Sequence, residues 1–171
     1  MALSARTAPK AVGQDSIECR VLTGKDQEKL ADRIEKMGKA LGMDFFRVNA
    51  DQVRESDATL LIGVMGTQGP GINCGGCGYP TCAEMAKAVK KTAAKSLYRG
   101  PNCALKISDL GIAVGSAVKT ASIHNVDNRI MFTAGVAALE LGMLKGCSVA
   151  YGIPLVAAGK NPYFDVAKLR H

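Results

Sequence analysis

The chain has 171 residues, 47% of them apolar, with 22 Lys and Arg against 15 Asp and Glu and a formal charge of +7. That length suits one domain with a real hydrophobic core and excludes two large ones. No apolar run reaches the roughly eighteen residues of a membrane-spanning helix, and the first ten residues lack a signal-peptide core, so a cytoplasmic protein with no membrane partner is expected.

Ile17 to Leu22 alternates apolar and charged residues, the period of a half-buried strand. From Asp26 to about Leu41 the apolar positions Leu30, Ile34, Met37 and Leu41 recur at helical spacing, and Gly42 follows as a C-cap. Phe45 to Val48 reads as a short strand, and Asp51 to Ser56 as a polar helical turn. Ala58 to Met65 is apolar on both faces and rich in branched side chains, which predicts a strand buried between layers.

Residues 66–82 are too dense in Gly and Pro for regular structure, so the cysteines there lie on a loop. Ala83 to about Ala94 is helix-prone, with Lys87, Lys90, Lys91 and Lys95 toward its end. Two further helices are predicted, from about Ser108 to Ala121 and from about Asp127, read as an N-cap, to Leu141 with Gly142 as C-cap. Gly111, Gly115, Ala117, Ala134 and Ala138 would allow close helix contact or clear room for a flat ligand. Ser148 to Tyr151 and Leu155 to Ala158 read as two short strands around Gly152-Ile-Pro154.

Four of the six cysteines fall between positions 74 and 103. In a reducing compartment such clustering points to metal ligation or redox chemistry before disulfides. The spacing C-x2-C-x4-C of Cys74, Cys77 and Cys82 lets three thiolates cap three corners of a 4Fe-4S cubane, provided the backbone wraps tightly around it. Gly75, Gly76 and Gly78 supply the unusual dihedrals which that requires.

Cys103 follows the turn Gly100-Pro101-Asn102 and is the candidate fourth ligand, whereas Cys19 and Cys147 sit in predicted strands where a small buried hydrophobe is the commoner role. The chain must return from Cys82 to Cys103, so the intervening helix is expected to end or bend near Thr92 to Lys95. Zinc is the competing metal, since C-x2-C opens many zinc sites, but no His or matching second pair lies nearby.

With a cluster bound, the net charge falls to roughly +5, because the cubane and its thiolates carry about two negative charges. Aromatic residues for stacking bases are few. Nucleic acid is therefore set aside in favour of a solvated basic surface, or of an acidic redox partner docking beside Lys87 to Lys95. His124 is read as a loop residue, and Asp127-Asn128-Arg129 as a helix cap.

Gly71-Ile-Asn-Cys74-Gly-Gly-Cys77-Gly-Tyr-Pro80-Thr-Cys82-Ala-Glu-Met-Ala86 resembles the four-cysteine 4Fe-4S domain of the B subunit of Rnf-type electron-transport complexes and of the corrinoid iron-sulfur protein. The gap to Cys103 is longer here than is usual in those domains. Nearly the whole chain resembles a family of uncharacterised prokaryotic proteins containing a ferredoxin domain, through Gly100-Pro-Asn-Cys103, Asp109-Leu-Gly-Ile-Ala, Gly115-Ser-Ala-Val-Lys119-Thr-Ala, Asn125-Val-Asp-Asn128-Arg-Ile-Met and Gly159-Lys-Asn-Pro-Tyr-Phe164-Asp165.

A fainter similarity is to FMN-dependent nitroreductases, through Ala5-Arg-Thr-Ala-Pro9-Lys, Val21-Leu-Thr-Gly, Ala137-Ala-Leu-Glu-Leu141-Gly-Met and Gly152-Ile-Pro154. That likeness implies FMN as a second cofactor, with Arg6 and Lys10 the nearest basic residues to hold it.

Residues and resemblances together predict a single α+β (α/β-like) domain over 1–171. Its mixed central sheet is packed with helices, nitroreductase-like, and carries an inserted Gly/Cys-rich iron-sulfur segment at 66–103. The expected function is electron transfer or a redox accessory role. A flavin oxidoreductase fed by the cluster and a zinc-stapled binding module are the alternatives, and a homodimer through the small-residue helices is a further expectation.

Overall fold

A computed structural model describes residues 1–90 and 96–164. Four strands form one sheet in the order β1 (Ile17–Leu22), β2 (Ala58–Val64), β4 (Val149–Val156), β3 (Asp127–Asn128). Every neighbouring pair is antiparallel, so the sheet is not the mixed one expected. Helices cover both faces: α2 (Gly24–Leu41), α3 (Phe45–Arg54) and α6 (Phe132–Glu140) on one, α1 (Ala2–Thr7) and α5 (Ala104–Ile123) on the other. The short helix α4 (Cys82–Lys87) stands in the long connection from β2 to α5.

β2 is buried along nearly its whole length, as its sequence predicts. Its side chains alternate between layers: Leu61 joins the core with Leu30, Ile34 and Phe46, while Leu60, Ile62 and Val64 pack with Leu110, Ala113 and Ala117 of α5. α6 approaches β4 closely because each carries a glycine, Gly135 and Gly152, where the other element packs against it. A Cβ at Gly135 would stand 1.8 Å from the Ala150 carbonyl oxygen, and one at Gly152 would stand 2.5 Å from Ala134 Cβ.

Four local expectations change. Phe45 to Val48 is not a strand but the first turn of α3, because Phe46, Asn49, Ala50 and Val53 share one buried helical face. Asp127 does not cap a helix: it lies in β3 and accepts from Asn161 Nδ2, and α6 starts only at Phe132. The two predicted strands around Gly152 are one, since Pro154 and Gly152 both sit in the ladder opposite Thr59 and Leu61. Gly111 and Gly115 are exposed on α5 with open space where a Cβ would point, so they mediate no close contact among the described residues.

Arg54 ties α3 to α2 through Glu28, Asp32 and Glu35, and also pairs with Asp51. Hydrogen bonds from Lys39, then from Arg54, hold the Glu35 carboxyl down to about 2, against an ordinary 4.5. A carboxyl depressed in the folded state contributes stability that is complete above its unfolded value and is lost as the pH falls toward 2. Thermal unfolding measured from pH 5 to pH 2 is expected to show a steeper fall for the native chain than for Lys39→Ala, with a small difference that shrinks in high salt because the pair is exposed.

Candidate metal centre

After β2 the chain runs through residues 66–81 without regular structure. Gly75 and Gly78 adopt left-handed backbone angles, with φ 71° and 84°, and Gly78 N donates to the Gly75 carbonyl at 2.9 Å. Asn73, itself at φ 51°, accepts from the Cys82 backbone N at 2.9 Å, which draws the two ends of the cysteine loop together. Thr81 Oγ1 accepts from Glu84 N and caps α4, so Cys82 is its first helical residue.

The return to Cys103 is shorter than the sequence implied. α4 ends at Lys87, and Lys90 then pairs with Gly100 in both directions, N to O at 2.8 Å and O to N at 3.2 Å. The expected break at Thr92 to Lys95 lies outside the described residues. Cys103 caps the N-terminus of α5 and is buried, and its backbone N donates to the Gly66 carbonyl at 2.8 Å.

Gly69 is where the two distant cysteines meet. A Cβ placed there would stand 2.7 Å from Cys82 Sγ and 3.8 Å from Cys103 Sγ. At Gly76, a Cβ would stand 3.6 Å both from Cys74 Sγ and from Ala104 Cβ, the residue after Cys103. Cys74 is exposed and Cys77 and Cys82 are half-buried, and all four are free thiols.

Among the described residues no three Cys, His, Asp or Glu side chains converge as for a single metal ion. A single ion draws its ligands to one point, whereas the four thiolates of a cubane each cap a different iron and stand apart by the width of the cluster. An all-thiol donor set on a loop of glycines, with a cradle at Gly69 that a side chain would fill, fits the larger group.

Asn102 and Ser148 escaped sequence reasoning. Ser148 Oγ and Asn102 Oδ1 are 2.6 Å apart, Gly66 N donates to Ser148 Oγ at 2.9 Å, and Asn102 Nδ2 donates to the Arg99 carbonyl at 2.9 Å. Together they clamp the residue before Cys103 to the end of β2. Asn102 in Gly-Pro-Asn-Cys was the only sequence signal, and nothing local marks Ser148.

Cys19 is half-buried in β1, and Cys147 is buried just before β4 rather than within it. Burial, then the nearby Glu18 carboxylate, pushes the Cys147 thiol up to about 12. In cluster-free protein, iodoacetamide at mildly alkaline pH is expected to label exposed Cys74 at least about tenfold faster than Cys147, read by peptide mass spectrometry over time.

The basic residues proposed for a flavin are already engaged. Arg6 pairs with Asp15 at 2.6 Å and donates to the Ile17 carbonyl, while Lys10 Nζ donates to the carbonyls of Arg6 and Ala8.

The architecture is that of solved nitroreductases. Nitroreductase A from Vibrio parahaemolyticus superposes with a TM-score of 0.55 at 13% identity, over 94% of this chain and 57% of that one. This chain thus spans little more than half of that protein. Nitroreductase CinD from Lactococcus lactis, solved with nicotinic acid, gives 0.58 at 15% identity over 97% and 81%, and a nitroreductase-like protein from Bacillus cereus gives 0.58 at 10% over 94% and 73%. At these identities the likeness concerns the fold alone.

Residues 70–96 match the family described as "Putative Fe-S cluster", and residues 99–166 match "Uncharacterized protein containing a ferredoxin domain". Fold and site together define an iron-sulfur protein on a nitroreductase-type α+β body. An uncharacterized protein of Archaeoglobus fulgidus is 47% identical over 167 residues, covering 98% of this chain and 88% of its own. The chain belongs to this family of uncharacterised proteins containing a ferredoxin domain. Among the described residues no helix is long and apolar enough to cross a membrane.

Proposed function

We propose that Cys74, Cys77, Cys82 and Cys103 hold one 4Fe-4S cluster and that the protein passes single electrons through it to or from a partner protein. The observation that carries this reading is the approach of Cys82 and Cys103, distant in sequence, to the same glycine of the cysteine loop. When bound, the cluster supplies a one-electron carrier whose potential responds to hydrogen bonds, nearby charge and solvent exposure.

The chain's own part is to hold the thiolates. Cys103 sits at the positive end of the 20-residue helix α5, which favours a negatively charged ligand sulfur there. Asn102 and Ser148 fix its approach, and Asn73 closes the loop on the other side. Residues 66–103 are then the cluster-binding insertion of a single domain in a cytoplasmic, reducing setting, consistent with six free thiols. Exposed Lys87 and Lys90, just beyond Cys82, suit docking of a partner with an acidic surface.

Anaerobic absorption and EPR spectra, with iron, sulfide, zinc and flavin counted, test this. A broad band near roughly 400 nm with about four iron and four sulfide per chain is the expected result. Zinc without sulfide overturns it, and flavin in stoichiometric amount would add a second redox centre to the same protein.

A further inference from the structure

Tyr79, between Cys77 and Cys82, forms one wall of a cavity of about 410 Å³ whose other walls include Lys90, Tyr98, Arg99 and Asn102. The volume is in the range of small-molecule sites. The cavity touches both halves of the cysteine set: Tyr79 belongs to the loop of Cys74 to Cys82, and Asn102 adjoins Cys103.

Its walls are held by hydrogen bonds rather than left loose. The two-way bridge between Lys90 and Gly100 joins the segments that bear the two cations, and Asn102 Nδ2 holds the Arg99 carbonyl. The Tyr98 hydroxyl donates to the Ala150 carbonyl at 3.3 Å, which anchors that ring to the sheet, and burial keeps the phenol protonated.

The charge on this frame is one-sided. No Asp or Glu is among the lining residues, and among the described residues neither Lys90 nor Arg99 makes an ion pair. Lys90 and Arg99 thus bring two cations to the walls of one cavity with no acid among them to offset the charge, which favours an anion there. The guanidinium fork of Arg99 matches a carboxylate, the Lys90 ammonium adds a point charge, and tyrosine rings offer apolar area to a flat body.

We propose that this cavity binds a small organic anion with a flat, conjugated body, its acidic group held by Lys90 and Arg99 and its ring against Tyr79 and Tyr98. The inference rests on the iron-sulfur reading only for the position of the ligand beside the cluster.

Calorimetric titration of holoprotein with benzoate, benzamide and acetate tests it, with iron and sulfide counted on the same sample. Benzoate is expected to bind saturably at one site, and benzamide (ring without charge) and acetate (charge without ring) at least about tenfold more weakly. Arg99→Gln and Lys90→Gln, both exposed and expected to fold, should each weaken benzoate about tenfold, while Lys36→Gln on the solvent face of α2 leaves it unchanged.

Benzamide or acetate binding as tightly as benzoate overturns the proposal, as does benzoate binding indifferent to both substitutions. So does the lack of saturable binding at about 10 mM, enough to fill a site of roughly millimolar Kd. Failure of the iron-sulfur reading would show separately, as iron and sulfide missing from the same sample whatever benzoate does.

Discussion

Replacing Cys103 with serine is expected to lower bound iron from about four per chain to below about one and to remove the charge-transfer band. Cys103 is buried at the N-terminus of α5, where water does not replace a thiolate, and the two thiols outside the loop, Cys19 and Cys147, lie in β1 and just before β4. Because metal-binding energy is also folding energy, the holo-to-apo gap in thermal midpoint should collapse together with the iron. Cys147→Ala is the control: that thiol lies outside the loop, so its loss should leave iron content unchanged. Full iron retention in Cys103→Ser, or iron loss in Cys147→Ala, would move the fourth ligand elsewhere.

Gly135→Ala should be the most damaging single change to the body. Its Cβ would meet Ala150 O at 1.8 Å, Ala150 C at 2.3 Å and Tyr151 N at 2.7 Å, all backbone atoms of a strand paired on both sides. Backbone cannot rotate away as a side chain can, so α6 must lift off β4 and open the core around Ala134, Ala137 and Ala138. A loss of about 3 kcal/mol or more is expected, a large part of the roughly 5–15 kcal/mol of a typical domain. Gly111→Ala and Gly115→Ala are the contrast: with nothing within 4 Å of the new methyl group, each should stabilise α5 by about 0.5–1 kcal/mol. Denaturant midpoints of the three variants check both signs; a stable Gly135→Ala protein would mean that α6 does not lie on β4 as described.

The long periodic segments were legible because their signal is local. Leu30, Ile34 and Met37 mark one face of α2 whatever lies opposite, and the branched residues of β2 mark a strand covered on both sides. The errors fell where a local pattern was short. Phe45 and Phe46 favour strand by intrinsic preference, yet Phe46 is buried by helical packing with Met37, Ala50 and Val53. Asp127 has the chemistry of an N-cap, but its partner is Asn161, more than thirty residues away in sequence.

At the candidate site the sequence by itself determined the cysteine spacing and the loop: four cysteines, three of them within nine residues, among glycines that readily take the left-handed turns at 75 and 78. Spacing is a covalent property, so it is written in the chain. Only the tertiary structure decided that Cys103 comes to Gly69, that Ser148 and Asn102 hold it there, and that Tyr79 and Arg99 share a cavity beside it. Those contacts join residues up to 82 positions apart. Their distances depend on how β2, β4 and α5 pack, a collective outcome of burying the core that no window of sequence contains.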